Sequence, residues 1–250
     1  MCAACANNEP VKWRESTTRI SLPRPDAQLV VDTDGRAAAL TPLLTPDFPG
    51  ACPGSVRAVS AGATRFAAWW DADAGGAARV TFRRSGDGGA TWTAPVVVDA
   101  RDRGGRGCNR PALALASGEQ SPYLHIVYWI EPADGAGLFF SHSMDGGGMF
   151  HAPVAIAYGA RPVLADVASL GDTVIVAHED PNSPAARLRL AISVTAGHIF
   201  EQRLPVPAEG GVQSAPRVAL RGRTLFVGWL DAGEKALVVR SGILNRPKQK

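Results

Sequence analysis

An eight-residue pattern recurs along this chain at an interval just long enough for four short strands and their turns. Ser85-Gly86-Asp87-Gly88-Gly89-Ala90-Thr91-Trp92 reads Ser-x-Asp-x-Gly-x-Thr-Trp. Ser143-Met144-Asp145-Gly146-Gly147-Gly148-Met149-Phe150 repeats it with Met for Thr and Phe for Trp. Ser193-Val194-Thr195-Ala196-Gly197-His198-Ile199-Phe200 repeats it again, with the acid lost. The serines step by 58 and then 50 residues, and Ser241 follows 48 later, after a run of the same kind. A pattern at a fixed period of this length signals an array of like supersecondary units.

The flanks repeat with the motif. Arg65-Phe66-Ala67-Ala68-Trp69-Trp70-Asp71 corresponds to Leu124 through Glu131, to Thr173 through Asp180 and to Leu225 through Asp231, each ending in an acid near a turn. A second run, such as Gly137-Leu138-Phe139-Phe140-Ser141-His142-Ser143, feeds the motif. Pro95-Val96-Val97-Val98 or Pro153-Val154-Ala155-Ile156 follows it, and a Pro-led run such as Arg110-Pro111-Ala112-Leu113-Ala114-Leu115 stands upstream. One unit is therefore four strands in about 50 residues, rich in β-branched and aromatic side chains and without a helical period. Four strands per repeat, arranged radially, make a propeller blade. The 27 Gly and 19 Pro, scattered between short apolar runs, are what so many turns require.

The motif resembles the Asp box, or BNR repeat, of sialidases and related propellers. The resemblance implies an all-β, sialidase-like propeller of four-stranded blades. It also implies a structural role for Ser85, Asp87, Gly89 and Trp92 and for Ser143, Asp145, Gly147 and Phe150, on the face away from the active site. Four units are clear, and the hairpin-like Leu29 to Leu40 leaves open a further, incomplete blade. Lys12-Trp13 followed by Ser16 to Leu22 looks like the run after a Trp plug, so an N-terminal strand is expected to complete the last blade and remove its edge. The expected organisation is an N-terminal tail over 1–11, a single propeller over 12–244 and a basic tail over 245–250.

Each unit's first strand begins at or near an arginine: Arg57, Arg110, Arg161 and Arg217. If these converge on the axis they form an anion site, because a guanidinium offers paired parallel donors to a carboxylate. The competing use of each is a bridge to the acid ending the second strand: Asp71, Glu131, Asp180 or Asp231. Sialidases hold a carboxylate with three arginines and attack with a Tyr activated by a Glu, with an Asp as acid/base. That likeness assigns Arg110, Arg161 and Arg217 to the carboxylate and Tyr158, Glu179 and Asp180 to catalysis. Arg19-Ile20-Ser21-Leu22-Pro23 departs from the family's Arg-Ile-Pro motif by two inserted residues. His178-Glu179-Asp180-Pro181-Asn182 breaks the Trp pattern of Trp129 and Trp229, which makes His178 and Asn182 ligand-binding candidates, although a packed imidazole also fits His178.

Composition bounds the rest. A net charge of +3, with no Lys/Arg block, argues against nucleic acid. No apolar run is long enough to span a membrane. No histidine or acid cluster has metal-ligand spacing, so no metal and no cofactor are expected. Cys52 and Cys108 each precede a repeat, and a disulfide between neighbouring blades is geometrically open to them, which would imply an oxidising compartment. Cys2 and Cys5 form an isolated Cys-x-x-Cys in the tail, where Cys2 is alternatively a lipidated residue behind a lost signal peptide. The reading is a monomeric, extracytoplasmic propeller (periplasmic, secreted or lipid-anchored). It binds a small anionic or carbohydrate ligand, or a protein partner, at the axial mouth. The alternative is an exo-glycosidase acting on sialosides.

Overall fold

The computed structural model describes residues 9–44, 46–118, 122–208, 211–230 and 236–245. Cys2, Cys5, Asp231 and the basic tail from 246 lie outside the described residues. Every regular element among them is a β-strand. In chain order these are β1 (Val11–Ser21), β2 (Gln28–Val31), β3 (Ala37–Leu40), β4 (Arg57–Ala61), β5 (Thr64–Ala72) and β6 (Ala78–Ser85). There follow β7 (Val96–Asp99), β8 (Ala114–Ser117), β9 (Leu124–Ile130), β10 (Gly137–Ser143), β11 (Val154–Tyr158) and β12 (Ala165–Leu170). The last six are β13 (Thr173–Glu179), β14 (Leu188–Ser193), β15 (Gln202–Pro205), β16 (Ser214–Arg221), β17 (Thr224–Leu230) and β18 (Ala236–Leu244).

They form three four-stranded antiparallel meanders, β4 to β7, β8 to β11 and β12 to β15, one per repeat. The fourth blade takes β16, β17 and β18 from the C-terminal end and β1 from the N-terminal end. Ser21 pairs with Ala236 and Val11 with Leu244, so the first strand covers what would be an open edge. The fifth sector is only a hairpin, β2–β3. The innermost strands β4, β8, β12, β16 and β2 lie side by side in that order, around a common axis.

Strand alternation explains why the blades stack. Along β5, Phe66, Ala68 and Trp70 face the second blade and join Leu124, Ile126, Tyr128 and Phe139 there. Ala67 and Trp69 point the other way, towards Phe48, which stacks on Trp69 at 4.4 Å. Buried on both faces, the middle strands are apolar almost throughout, as in β9 (Leu124-His125-Ile126-Val127-Tyr128-Trp129-Ile130).

The recurrent motif turns the chain between the third and fourth strands. Ser85 Oγ donates to Asp87 Oδ1 at 2.7 Å and accepts Gly89 N at 2.8 Å, while Asp87 accepts the Thr91 amide and hydroxyl at 2.9 and 2.6 Å. Ser143 and Asp145 repeat this with the Gly147, Gly148 and Met149 amides. In the third copy the Thr195 hydroxyl takes the carboxylate's place, accepting Ile199 N at 3.0 Å. The terminal aromatic then packs away from its own blade. Phe150 meets Phe82 of the first blade edge-on at 5.1 Å, Phe200 meets Phe140 of the second at 4.9 Å, and Trp92 meets Phe48 at 5.1 Å. Cys52, before β4, is bridged to Cys108, before β8, across a Cα–Cα distance of 5.3 Å.

Candidate functional site

Inner strands start, and second strands end, on the face opposite the motif turns. There the four arginines separate into two pairs. Arg110 is fully buried in a bidentate ion pair with Asp102, at 3.0 and 2.6 Å, with its guanidinium 5.6 Å from the Trp70 ring centre. The same carboxylate accepts the Ala78, Gly104 and Glu131 amides, so it ties the first blade to the second. Arg110 therefore has no donor facing the mouth, and its partner is Asp102 rather than Glu131, the acid ending the second strand. Glu131 instead takes Arg106 at 2.7 Å. Arg161 lies 3.8 Å from Glu179 and donates to the Asp180 carbonyl.

Arg57 and Arg217 bond only to backbone carbonyls among the described residues. Arg57 Nη1 donates to Gly54 O and Val56 O, both at 3.0 Å. Arg217 reaches Ala27 O at 2.8 Å, Pro25 O at 2.9 Å and Pro216 O at 2.9 Å. The Arg57 guanidinium is held below its ordinary value. Burial is the first cause and the like charge of Arg217 adds to it, with Asp26 and Asp166 opposing. β4 and β16 are both innermost strands, separated in the row by β8 and β12. Asp166 of β12, the inner strand packed beside β16, accepts Val218 N at 2.8 Å. Burial pushes its carboxyl up, against the pull of Arg217 and Arg57.

Glu179 serves this arrangement indirectly. Its buried carboxylate accepts Ala215 N at 3.1 Å, in the bulge that interrupts the pairing of β16 between Ser214 and Arg217. Ala215 has φ 48°, a left-handed conformation that costs a non-glycine residue about 1–2 kcal/mol. Arg217 Nη1 donates to the Ala215 carbonyl at 3.2 Å, so the bulge is held from both sides.

The remaining candidates are dispersed. Tyr158 ends the outer strand of the second blade, exposed, with its ring edge-on to Phe139 at 6.1 Å. Its hydroxyl makes no hydrogen bond to Glu179. Its backbone carbonyl accepts Asn182 Nδ2 at 2.9 Å. His178 is buried, with Nδ1 2.8 Å from the Glu179 carbonyl, and burial lowers its basicity. Asp180 lines a cleft of about 270 Å³ with Arg187, Arg189 and Gln213, beside the third blade rather than on the axis.

Sequence reasoning passed over Asp166, Asp102 and Asp26. The available signal for Asp166 was an acid within the otherwise apolar run Val163-Leu164-Ala165-Asp166-Val167.

No protein-family model matches this sequence, and no curated protein does. The fold does match solved structures. Trypanosoma rangeli sialidase in complex with sialic acid superposes with a TM-score of 0.51 at 13% identity, over 91% of this chain and 41% of that one. A mutant of the same sialidase displaying trans-sialidase activity gives 0.54 at 12% identity, over 92% and 41%. The chain thus spans about two-fifths of the length of these enzymes. At such identities the similarity establishes the fold alone.

Proposed function

We propose that this chain, a sialidase-like propeller, is a binding module that takes a carboxylate-bearing carbohydrate at its axial mouth, without turning it over. One observation carries the reading. Arg57 and Arg217, on two innermost strands, donate only to backbone carbonyls among the described residues, so neither charge is met by a carboxylate hydrogen bond and an anion at the axis would supply one. A planar carboxylate matches the paired donors of a guanidinium. Binding rather than hydrolysis is favoured because Glu179, the activating carboxylate of the glycosidase alternative, is engaged by backbone amides and not by Tyr158. The Cys52–Cys108 bridge supports an extracytoplasmic location, since disulfides persist in oxidising compartments. No helix among the described residues is long and apolar enough to cross a membrane.

The test is titration of the purified chain with sialic acid and glucuronic acid, followed by calorimetry. Arg57→Met is expected to weaken binding about 10- to 100-fold, the worth of a charged hydrogen bond. Acidification adds a signed expectation. Asp166 has a raised pKa, so lowering the pH neutralises it before an ordinary carboxylate and removes one of the two acids that oppose the guanidinium charge, leaving Asp26. Affinity should rise as the pH is lowered through the range in which Asp166 takes up its proton, while a carboxylate ligand stays ionised above about pH 4. Asp166→Asn should bind more tightly at pH 7 and lose this dependence. Turnover of a fluorogenic sialoside that vanishes in Tyr158→Phe would instead establish the exo-glycosidase.

A further inference from the structure

At the opposite end of the molecule, the motif turns of the second and third blades bring three histidines together. His142 immediately precedes the second motif and His151 immediately follows it, while His198 lies inside the third. One ring nitrogen from each lies within 4.8 Å of the other two. The His142 and His151 rings stack at 4.4 Å and 9°, and His198 stands edge-on to them at 4.5 and 5.5 Å. No spacing rule anticipates this, because the separations of 9 and 47 residues fall outside the short intervals of sequence-local metal sites.

The backbone fixes the arrangement. His151 N donates to His142 O at 2.8 Å, Ser141 Oγ donates to His151 O at 2.9 Å, and His198 N donates to Thr195 O at 3.1 Å. Gly197, at φ 91°, lets the third blade's turn settle on the Phe140 ring. A Cβ at that position would stand 2.5 Å from the ring. His142 is buried, and its Nε2 has no hydrogen-bond partner. His151 is half-buried and His198 exposed, so the group is closed below and open to solvent above.

We propose that His142, His151 and His198 bind a divalent transition-metal ion, with Zn²⁺ the natural occupant. Imidazole nitrogens suit Zn²⁺, whereas Ca²⁺ and Mg²⁺ require oxygen donors. Zn–N bonds of about 2.0–2.1 Å in a tetrahedron put ligand nitrogens about 3.3 Å apart. The trio closes to that spacing when exposed His198 swings inward and one ring of the stacked pair turns about χ2, a broad torsion. Three histidines leave the fourth position open to water. The ion joins two blades through their turns, so its binding adds directly to the stability of the folded state.

The test uses tag-free, chelator-treated full-length chain carrying Cys2→Ser and Cys5→Ser, so that the N-terminal thiols take no metal. Calorimetry with Zn²⁺ should show one ion per chain, and Zn²⁺ should raise the melting temperature. His151→Ala and His198→Ala should each weaken binding about 100-fold, at least the loss caused by removing an outer-shell partner of a metal site. Neither ring is a core side chain, so both variants should melt like the parent in chelator. Co²⁺ in place of Zn²⁺ should give the visible d–d bands of a four-coordinate site with three nitrogen ligands. An absence of stoichiometric Zn²⁺ binding overturns the proposal, and so does affinity that survives both histidine substitutions.

Discussion

At the scale of the residue, the buried polar groups divide into those with partners and those without. Asp102 accepts five hydrogen bonds, two from Arg110 and three from backbone amides, which offset the cost of burying it. His125 is the opposite case. It is 1% exposed on β9, stacked on Phe140 at 5.7 Å, and neither ring nitrogen has a partner. Burial, and then the neighbouring His142, push it down to about 3 from 6.5. Below pH 6.5 the unfolded chain takes up a proton at His125 that the folded chain refuses, so stability falls as the pH falls towards 3. The slope is about 1.4 kcal/mol per pH unit, or about 2 kcal/mol between pH 6.5 and 5. His125→Leu should remove this share of the acid sensitivity, while His142 and His178 keep theirs. Urea unfolding at pH 7.5 and 5.0 checks it: an equal pH effect in both proteins would mean that His125 is not held neutral in the fold.

At the scale of the element, the motif turn is a hydrogen-bonded loop that also packs on the neighbouring blade. Gly147 shows both demands at once. Its φ is 88°, and a Cβ there would lie 2.1 Å from Phe82 Cε1 on the preceding blade. Gly88, in the first copy, has φ 71° but nothing within 4 Å of such a Cβ. Gly88→Ala should therefore cost only the backbone strain, about 1–2 kcal/mol. Gly147→Ala should add overpacking, for a total of about 2–4 kcal/mol. Equal losses in denaturant melts would show that the turn does not bear on its neighbour. The contrast also explains what a single sequence could reveal. The motif's serine recurs in all four blades and its glycine and aromatic in three, so four blades and closure by an N-terminal strand could be read from the pattern, with an incomplete fifth left open. The strand itself starts at Val11, ahead of the plug-like Trp13. The mouth is set by departures from the repeat. Whether an arginine at a strand start meets Asp102 or only carbonyls depends on loop paths that no periodicity encodes. Asp166, in one inner strand alone, and the three histidines, from two different turns, become neighbours only through blade packing.

At the scale of the whole molecule, four blades and a hairpin have to stay in a ring, and two kinds of joint hold it. The pairing of β1 with β18 ties the chain's beginning to its end within the fourth blade. The Cys52–Cys108 bridge ties the entry of the first blade to the entry of the second, while the Phe48 segment packs on the first blade's other face and the β2–β3 hairpin takes the fifth position beside β16. The bridge spans 56 residues, essentially one full blade with its connections. Constraining a loop of that size in the unfolded chain stabilises the fold by up to about 4 kcal/mol. For a chain of this length, each kcal/mol moves the melting temperature by about 2–4 °C. Cys52→Ala with Cys108→Ala should therefore lower it by up to about 16 °C, and the parent protein melted in reductant should fall to a similar value. Arg57 belongs to the first blade and Arg217 to the fourth, so their spacing depends on the ring keeping its shape across the hairpin sector. The double variant should accordingly weaken carboxylate binding well below its melting temperature, with no substitution at the mouth. Unchanged affinity alongside the lower melting temperature would assign the bridge to stability alone and the shape of the mouth to the β1–β18 joint.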